Sequence, residues 1–357
     1  MSNRSAQNEG TREVRDAHRF DVSRLDGWLR QNIEGYEGPL QVEQFKGGQS
    51  NPTYKLVTPG RRYVLRRKPP GKLLPGAHAV DREYRVIEAL GRKQFPVPKT
   101  FGLCLDEEVI GTIFYVMEMV EGRIFWEPTF PEVGLSERPA YFDAMNATIA
   151  ALHAVDPGPA GLGDYGRPGN YFERQIGRWS KQYLGDEEAG RIPAMDRLVE
   201  WLPQSIPADD GEARAIHGDF RCDNMVFHAS EPRILAVLDW ELSTLGHPLA
   251  DFSYHAMMYR LPASYFSGLA GLDLVALNIP SEADYIAAYC RRTGRENIPD
   301  FDFYMAFNMF RLAAILHGIK GRLARGTAAS DHAGKMVESL DALADLAWQQ
   351  AARAGAV

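Results

Sequence analysis

The stretch HGDFRCDNMVF, residues 217–227, gathers a histidine, two aspartates, an arginine and an asparagine directly ahead of an apolar run. Asp, Asn and Gly are turn residues, and any one of these positions is accounted for by a turn. As a set they head something more ordered. Residues 224–240, NMVFHASEPRILAVLDW, read as a β-hairpin that turns at ASEP. In an antiparallel pair the residue entering the first strand lies beside the residue leaving the second. Asn224 enters and Asp239 leaves. An amide oxygen and a carboxylate converging in this way offer the hard ligands that Mg2+ takes, together with substrate phosphates. Asp219, upstream of Asn224 on the loop, is left to face a substrate hydroxyl.

The elements that must position this set follow from a hydrophobic period that changes along the chain. Residues 1–20 are polar and charged and read as a flexible start. Residues 22–33 place Val22, Leu25, Trp28, Leu29 and Ile33 at helical spacing. Strands are expected at 40–45 and 53–58, joined by KGGQSNP, and at 62–68. Residues 79–92 read as a helix, PVPKTFGLCLD holds a further strand, and 112–120 holds another. Beyond residue 121 helical patterns dominate, at about 139–155, 170–184, 193–203, 281–294, 302–323 and 331–353, with the hairpin between them. The expected fold class is α+β: a small β-rich N-lobe over residues 21–121 and a larger helical C-lobe over 122–357.

Composition narrows the function classes. A chain of 357 residues is comfortable for two lobes. Its 45% apolar and 24% charged residues suit a soluble globular enzyme. A net charge of −7 argues against nucleic acid and anionic membrane as partners. Cys104, Cys222 and Cys290 are widely spaced and form no CxxC pair, which speaks against a zinc site or a disulfide framework. The start carries no apolar core of a signal peptide, and no apolar run approaches membrane-spanning length. A cytoplasmic location is therefore expected.

The template for kinase catalysis is H-R-D-x-x-x-x-N, then a hairpin, then the aspartate of D-F-G. HGDFRCDN keeps that spacing with Gly218 in place of Arg, and LDWE stands where D-F-G would be. This combination resembles the aminoglycoside phosphotransferase and choline kinase family, over roughly residues 40–325. RRKPPGKLLPGAHAVDREYRVI, residues 66–87, is similar to the phosphotransferase-like module of some multidomain acyl-CoA dehydrogenases. The resemblance implies a bilobal protein-kinase-like fold, ATP or GTP as donor with Mg2+, and a small-molecule hydroxyl as acceptor. It implies Asp219 as catalytic base, Asn224 and Asp239 as Mg2+ ligands, and Arg221 as the charge that steadies the γ-phosphate. His217 becomes a structural member of the loop, and Asp251, in GHPLADFSY, its brace.

The same resemblance assigns the nucleotide site. FKGGQSNPTYKL, residues 45–56, is similar to the phosphate-covering loop. Gly47 and Gly48 let the backbone approach phosphate, while Ser50 and Asn51 add polar contacts. On strand 62–68, alternation puts Val64, Arg66 and Lys68 on one face and Leu65 and Arg67 on the other. Alignment on YVLR favours Arg66 as the phosphate-pairing cation, with Lys68 the competing assignment, and gives it Glu83 as partner. YVMEMVEG, residues 115–122, is similar to the hinge. There the Glu118 carbonyl and Val120 amide would hold adenine, with Met117 lining the pocket.

For the acceptor, residues 304–325 carry Arg311, Lys320, Arg322 and Arg325 and no acid. That balance suits an anionic alcohol, such as a hydroxyacyl-CoA or hydroxy acid, better than a polycation. A solvated helix face accounts for the same charges equally well. The dehydrogenase-linked module points to hydroxyacyl-CoA and to a functional link with an acyl-CoA dehydrogenase. The alternatives are an aminoglycoside phosphotransferase and a nucleotide-binding pseudokinase acting as a regulatory module. The complete Asp219, Asn224, Asp239 set argues against the pseudokinase.

Overall fold

The computed structural model describes residues 9–47, 51–71, 78–327, 334 and 337–357. Gly48 and Ser50 lie outside the described residues, as do 331–333, 335 and 336 at the start of the last expected helix. In chain order the elements are β1 (Thr11–Arg12), α1 (Val22–Asn32), β2 (Gln41–Phe45), β3 (Thr53–Val57) and β4 (Arg62–Arg67). Then come α2 (Val80–Arg92), β5 (Thr100–Cys104), β6 (Phe114–Glu118), α3 (Arg138–Ala154), α4 (Tyr171–Gly185) and α5 (Pro193–Trp201). The remainder is β7 (Arg214–Ile216), β8 (Met225–Phe227), β9 (Ile234–Val237), β10 (Thr244–Gly246), α6 (Pro248–Ala256), α7 (Glu282–Thr293), α8 (Phe301–Ala324) and α9 (Leu340–Arg353).

Two compact units result. The first is Met1–Glu132, Pro157–Tyr165 and Arg221–Ser243; the second is Val133–Asp156, Gly166–Phe220 and Thr244–Val357. They interleave along the chain, so they differ from a single break after residue 121. The hairpin expected in the helical lobe groups with the sheet. The reason is burial: Phe227 and Trp240 are fully buried against Phe125, Phe130 and Phe95 of the first unit.

In the first unit the strand order is β1-β2-β3-β4-β6-β5, with every neighbouring pair antiparallel. Alternation sorts β4 as its sequence requires. Tyr63 and Leu65 enter an apolar core with Leu25 and Leu29 of α1 and with Phe114 and Val116 of β6. Arg67 shares that side, its guanidinium donating to the Ile110 carbonyl and covering the rings of Phe20 and Tyr54. Arg66 points the other way, opposite Tyr115 in the β4–β6 register. Part of the stretch read as a flexible start is tied down. Thr11–Arg12 pairs with β2, the Thr11 hydroxyl donates to Glu43, and Phe20 meets Tyr54 edge-on.

The second unit is mainly helical. Helix α8 packs on α9, α4 and α6, α9 packs on α5, and α3 packs on α7. Strand β10 pairs antiparallel with β7, Thr244 opposite Ile216. Helix α6 was not legible from periodicity, because all nine of its residues are buried and no solvent-exposed face marks the turn. The basic reading of 304–325 also changes. Arg311 is buried, and Arg325 makes a two-pronged ion pair with Asp186 of the preceding helical region. The segment has no acid of its own, but its neighbours supply one.

Candidate active site

The hairpin and strand β4 build a charged cluster in the first unit. Met225 lies opposite Val237, so Asn224 and Leu238 face each other, and the Leu238 amide donates to the Asn224 carbonyl at 2.8 Å. Asp239 follows at the strand exit with a left-handed backbone, φ 63°, a conformation Asp tolerates better than most residues. Trp240, buried and donating to the Val237 carbonyl, anchors this turn. From β4, Arg66 reaches three carboxylates. Its Nε is 2.7 Å from Glu83 Oε2, and its Nη2 is 2.6 Å from Asp239 Oδ1 and 3.3 Å from Glu241 Oε2.

Glu83 sits in the first turn of α2, where the helix dipole favours a carboxylate. It also accepts from Asn51 Nδ2 at 2.8 Å and from the Tyr115 hydroxyl at 3.2 Å. Burial pushes the Glu83 carboxyl up, against the pull of Arg66. Burial works against the Arg66 charge too, but Glu83 and Asp239 outweigh it and raise the guanidinium further. The two cations of that face of β4 differ in their surroundings. Arg66 meets Glu83, whereas Lys68 follows the last residue of the strand and is half-exposed.

Asn51, expected to add a polar contact to phosphate, is engaged with side chains of the same unit. Its amide is fully buried, donating to Glu83 and, at 3.4 Å, to Glu241, while its Oδ1 lies 2.9 Å from His78 Nδ1. Arg221 is paired bidentately with Asp223, its Nε 2.9 Å from Asp223 Oδ1. Gly47 follows the end of β2. At the other expected contact with the base, Met117 is buried on β6 opposite Val64. Glu118 ends that strand and donates its amide to the Lys99 carbonyl, and Val120 lies just beyond the strand.

In the second unit the loop carrying Asp219 is held at its main chain by buried side chains. Asp251 accepts from the His217 amide at 2.8 Å and from the Gly218 amide at 2.7 Å. Arg311 donates to the Gly218 carbonyl at 2.9 Å, and His255 Nδ1 lies 3.0 Å from the Phe220 carbonyl. Gly218 has φ 83°, a backbone that disfavours any side chain. That explains glycine where the kinase template has arginine. The Tyr254 hydroxyl donates to Asp219 Oδ1 at 2.6 Å. Asp251 is itself held by His153, whose other ring nitrogen meets the Tyr289 hydroxyl at 2.7 Å. Burial raises the Asp251 carboxyl, but the His153 hydrogen bond and the neighbouring His153 and His217 bring it below the usual carboxylate range.

Sequence reasoning missed Glu241, Tyr115, Tyr254 and His255. Glu241 had a signal, an acid two residues past Asp239 in LDWE. Tyr254 and His255 had one too: they stand at i+3 and i+4 from Asp251, one face of a helix once α6 is recognised.

Oxygen donors suited to a divalent cation do occur in the first unit. Among the described residues Glu83, Asp239 and Glu241 all lie against the Arg66 guanidinium, and carboxylate oxygens of this kind are what a hard cation takes. Asp210, Glu212 and His247 of the second unit also cluster within 4.8 Å, but their chemistry is wrong for a metal. His247 Nδ1 accepts from the Leu249 amide, so in the neutral ring the proton sits on Nε2, toward Asp210. Glu212 is meanwhile paired with Arg295.

Residues 41–307 match the phosphotransferase enzyme family. The chain belongs to that family. It is 53% identical to a crystal structure from Ralstonia eutropha, provisionally named an aminoglycoside phosphotransferase, with a TM-score of 0.86, covering 94% of this chain and 99% of that one. It is 42% identical to acyl-CoA dehydrogenase family member 10 of Mus musculus over 97% of this chain. The chain spans only 32% of that mouse protein, and 45% of a Rattus norvegicus relative named acyl-CoA dehydrogenase family member 11. A thermostable aminoglycoside phosphotransferase mutant in ternary complex with AMP-PNP and hygromycin B is 16% identical, with a TM-score of 0.56 over 92% of this chain and 98% of that one. At that distance the likeness is one of fold. The mixed architecture, a β-sheet N-terminal region and a helical C-terminal region, is that of kinase-like phosphotransferases. Among the described residues no helix is long and apolar enough to cross a membrane.

Proposed function

We propose that the protein transfers the γ-phosphoryl group of ATP, or GTP, to a hydroxyl of a small molecule. The observation that carries this reading is the buried Arg66, joined at once to Glu83 of α2 and to Asp239 at the hairpin exit. Active kinases need such a cation–glutamate pair to align nucleotide phosphates. Arg66 would take the phosphates, a role a fixed guanidinium fork performs electrostatically. The Glu118 carbonyl and Val120 amide would hold adenine beside Met117. Asn224 and Asp239 would hold Mg2+, with Asp239 exchanging its Arg66 contact for the cation. When bound, that cation would supply charge neutralisation at the phosphates. Asp219 would accept the acceptor's hydroxyl proton, on a loop whose main chain is already fixed. Arg221 would steady the transferring group after leaving Asp223.

For the acceptor we favour an alcohol borne on acyl-CoA. Relatives carry this segment in longer chains named for acyl-CoA dehydrogenation. The charge argument from 304–325 is weaker than its composition implies, since Arg311 and Arg325 are engaged within the unit and Lys320 and Arg322 remain for it. An aminoglycoside acceptor is the second reading, favoured by the name of the 53% identical structure.

Two substitutions separate the roles. Asp219→Ala should abolish transfer while leaving the MgATP dissociation constant within about three-fold of wild type, because Asp219 serves the acceptor. Asp239→Ala should abolish transfer and weaken MgATP binding by about ten-fold or more. Calorimetric titration of MgATP into both variants, beside nucleotide consumption with 3-hydroxybutyryl-CoA and with kanamycin, reads both points. Equal loss of nucleotide affinity in the two variants would overturn the assignment. Efficient kanamycin turnover with none on the CoA alcohol would move the acceptor to the aminoglycoside class.

A further inference from the structure

Helix α6 turns one face to the loop that carries Asp219, through residues at i, i+3 and i+4. Asp251 accepts from the His217 and Gly218 amides. His255 meets the Phe220 carbonyl. Between them along the helix, Tyr254 reaches past the main chain and donates its hydroxyl to Asp219 Oδ1 at 2.6 Å. The first two contacts set the backbone. The third touches the carboxylate itself.

Tyr254 is 8% exposed and held on two sides. Its own helix fixes one side, and the Arg311 guanidinium lies 5.3 Å from its ring centroid. Arg311 also donates to the Gly218 carbonyl, so the tyrosine and the loop share one support. A carboxylate turns easily about its last side-chain bond, a torsion with broad wells. With Oδ1 held at 2.6 Å that rotation breaks a hydrogen bond to an ionised acceptor, among the stronger kinds in proteins.

We propose that Tyr254 is the positioning residue of the phosphoryl-transfer base: its hydroxyl fixes the plane of the Asp219 carboxylate, so that the acceptor's O–H meets an oxygen already aimed at it. This rests on the reading of Asp219 as that base. In the transfer step the acceptor oxygen forms its bond to the γ-phosphorus as the bond to the nucleoside diphosphate oxygen breaks, and Asp219 takes the released proton. Tyr254 keeps its own proton throughout. It exchanges nothing with the acceptor.

The test is Tyr254→Phe in the full chain, which removes the hydroxyl and retains the ring over Arg311, compared with Asp219→Asn and with the double variant. Turnover is read with 3-hydroxybutyryl-CoA and, independently of any organic acceptor, as MgATP hydrolysis with water as acceptor. Tyr254→Phe should lower kcat about 10- to 100-fold, as expected when a reacting group loses its alignment. KM for ATP and the MgATP dissociation constant should stay within about two-fold, a split that general loosening would not produce. On the Asp219→Asn background the same change should cost nothing further, because there is no base left to aim. Wild-type kcat in Tyr254→Phe, with Asp219→Asn slowed to a small but measurable residual rate, overturns the proposal and leaves the role of Asp219 standing. An equal additional loss in the double variant overturns it as well, since Tyr254 would then act elsewhere. Full turnover in Asp219→Asn removes the base assignment, and this proposal falls with it.

Discussion

Replacing Arg66 by Met would leave Glu83, Asp239 and Glu241 facing one another without the guanidinium that joins them. Removing one member of a buried ion pair costs about 3–5 kcal/mol, mostly for the charge left behind. Two effects are therefore expected from Arg66→Met: a lower urea midpoint, and a raised KM for ATP with kcat down by about ten-fold or more. They can be separated. Adding Glu83→Gln replaces a stranded carboxylate by a neutral amide that can still bond Asn51 and Tyr115. The double variant should recover part of the stability and none of the kinetics. Lys68→Met, beyond the strand end, should change both by little. Steady-state kinetics and urea melts on the three proteins check this. A crippled Lys68→Met beside a near-normal Arg66→Met would mean that the phosphate-binding cation is the lysine.

At the scale of elements, strand alternation was readable because one face of β4 is apolar core and the other is not: Leu65 and Arg66 could be told apart from sequence. The hairpin was readable from its two apolar runs. Helix α6 was not, being buried all round, with its polar Asp251, Ser253 and His255 turned inward like the rest. The partners of the catalytic loop stayed hidden with it, as did the buried place of Asn51, which depends on contacts distant in sequence. That same helix makes a pH prediction. Burial, partly offset by the bond to the Phe220 carbonyl and by Asp251, pushes the His255 imidazole down to about 4. Its other ring nitrogen faces the Tyr285 hydroxyl, and His153 is the further nearby imidazole. In the unfolded chain the ring titrates near 6.5. Between those values the unfolded state binds a proton the folded state refuses, so stability falls as pH drops from about 6.5 to about 4 and levels off below. The full effect is about 3 kcal/mol. Asp251, held below the usual carboxylate range, loses its contribution only at lower pH, as it protonates. His255→Gln should therefore flatten the limb between pH 6.5 and 4 in urea unfolding and leave the steeper fall below it. An unchanged limb would remove His255 as its source.

Over the whole molecule, the units interleave: the first is completed by Arg221–Ser243, a segment that follows two stretches of the second, Val133–Asp156 and Gly166–Phe220. This sets a limit on autonomy. The hairpin docks through backbone as well as side chains, with the Phe227 amide donating to the Arg123 carbonyl and the Val237 amide to the Pro96 carbonyl, both at 2.8 Å. The Phe227 ring meets Phe125 and Phe130, with centroids 5.1 and 5.9 Å away, and Trp240 meets Phe95 at 6.0 Å. Without the hairpin these aromatic faces enter water. Each buried side chain of this kind contributes about 1.5–3 kcal/mol, so losing several together approaches the roughly 5–15 kcal/mol that stabilises a typical domain. A fragment of residues 1–132, although it holds the complete six-stranded sheet, should therefore show no cooperative thermal transition and should bind a hydrophobic dye. Joining residues 221–243 to it through a flexible linker should restore a cooperative melt and near-ultraviolet dichroism from Trp240. A sharp, reversible transition in 1–132 alone, unaltered by the added hairpin, would show that the sheet and its α1 core suffice, and that the hairpin is held by the first unit without stabilising it.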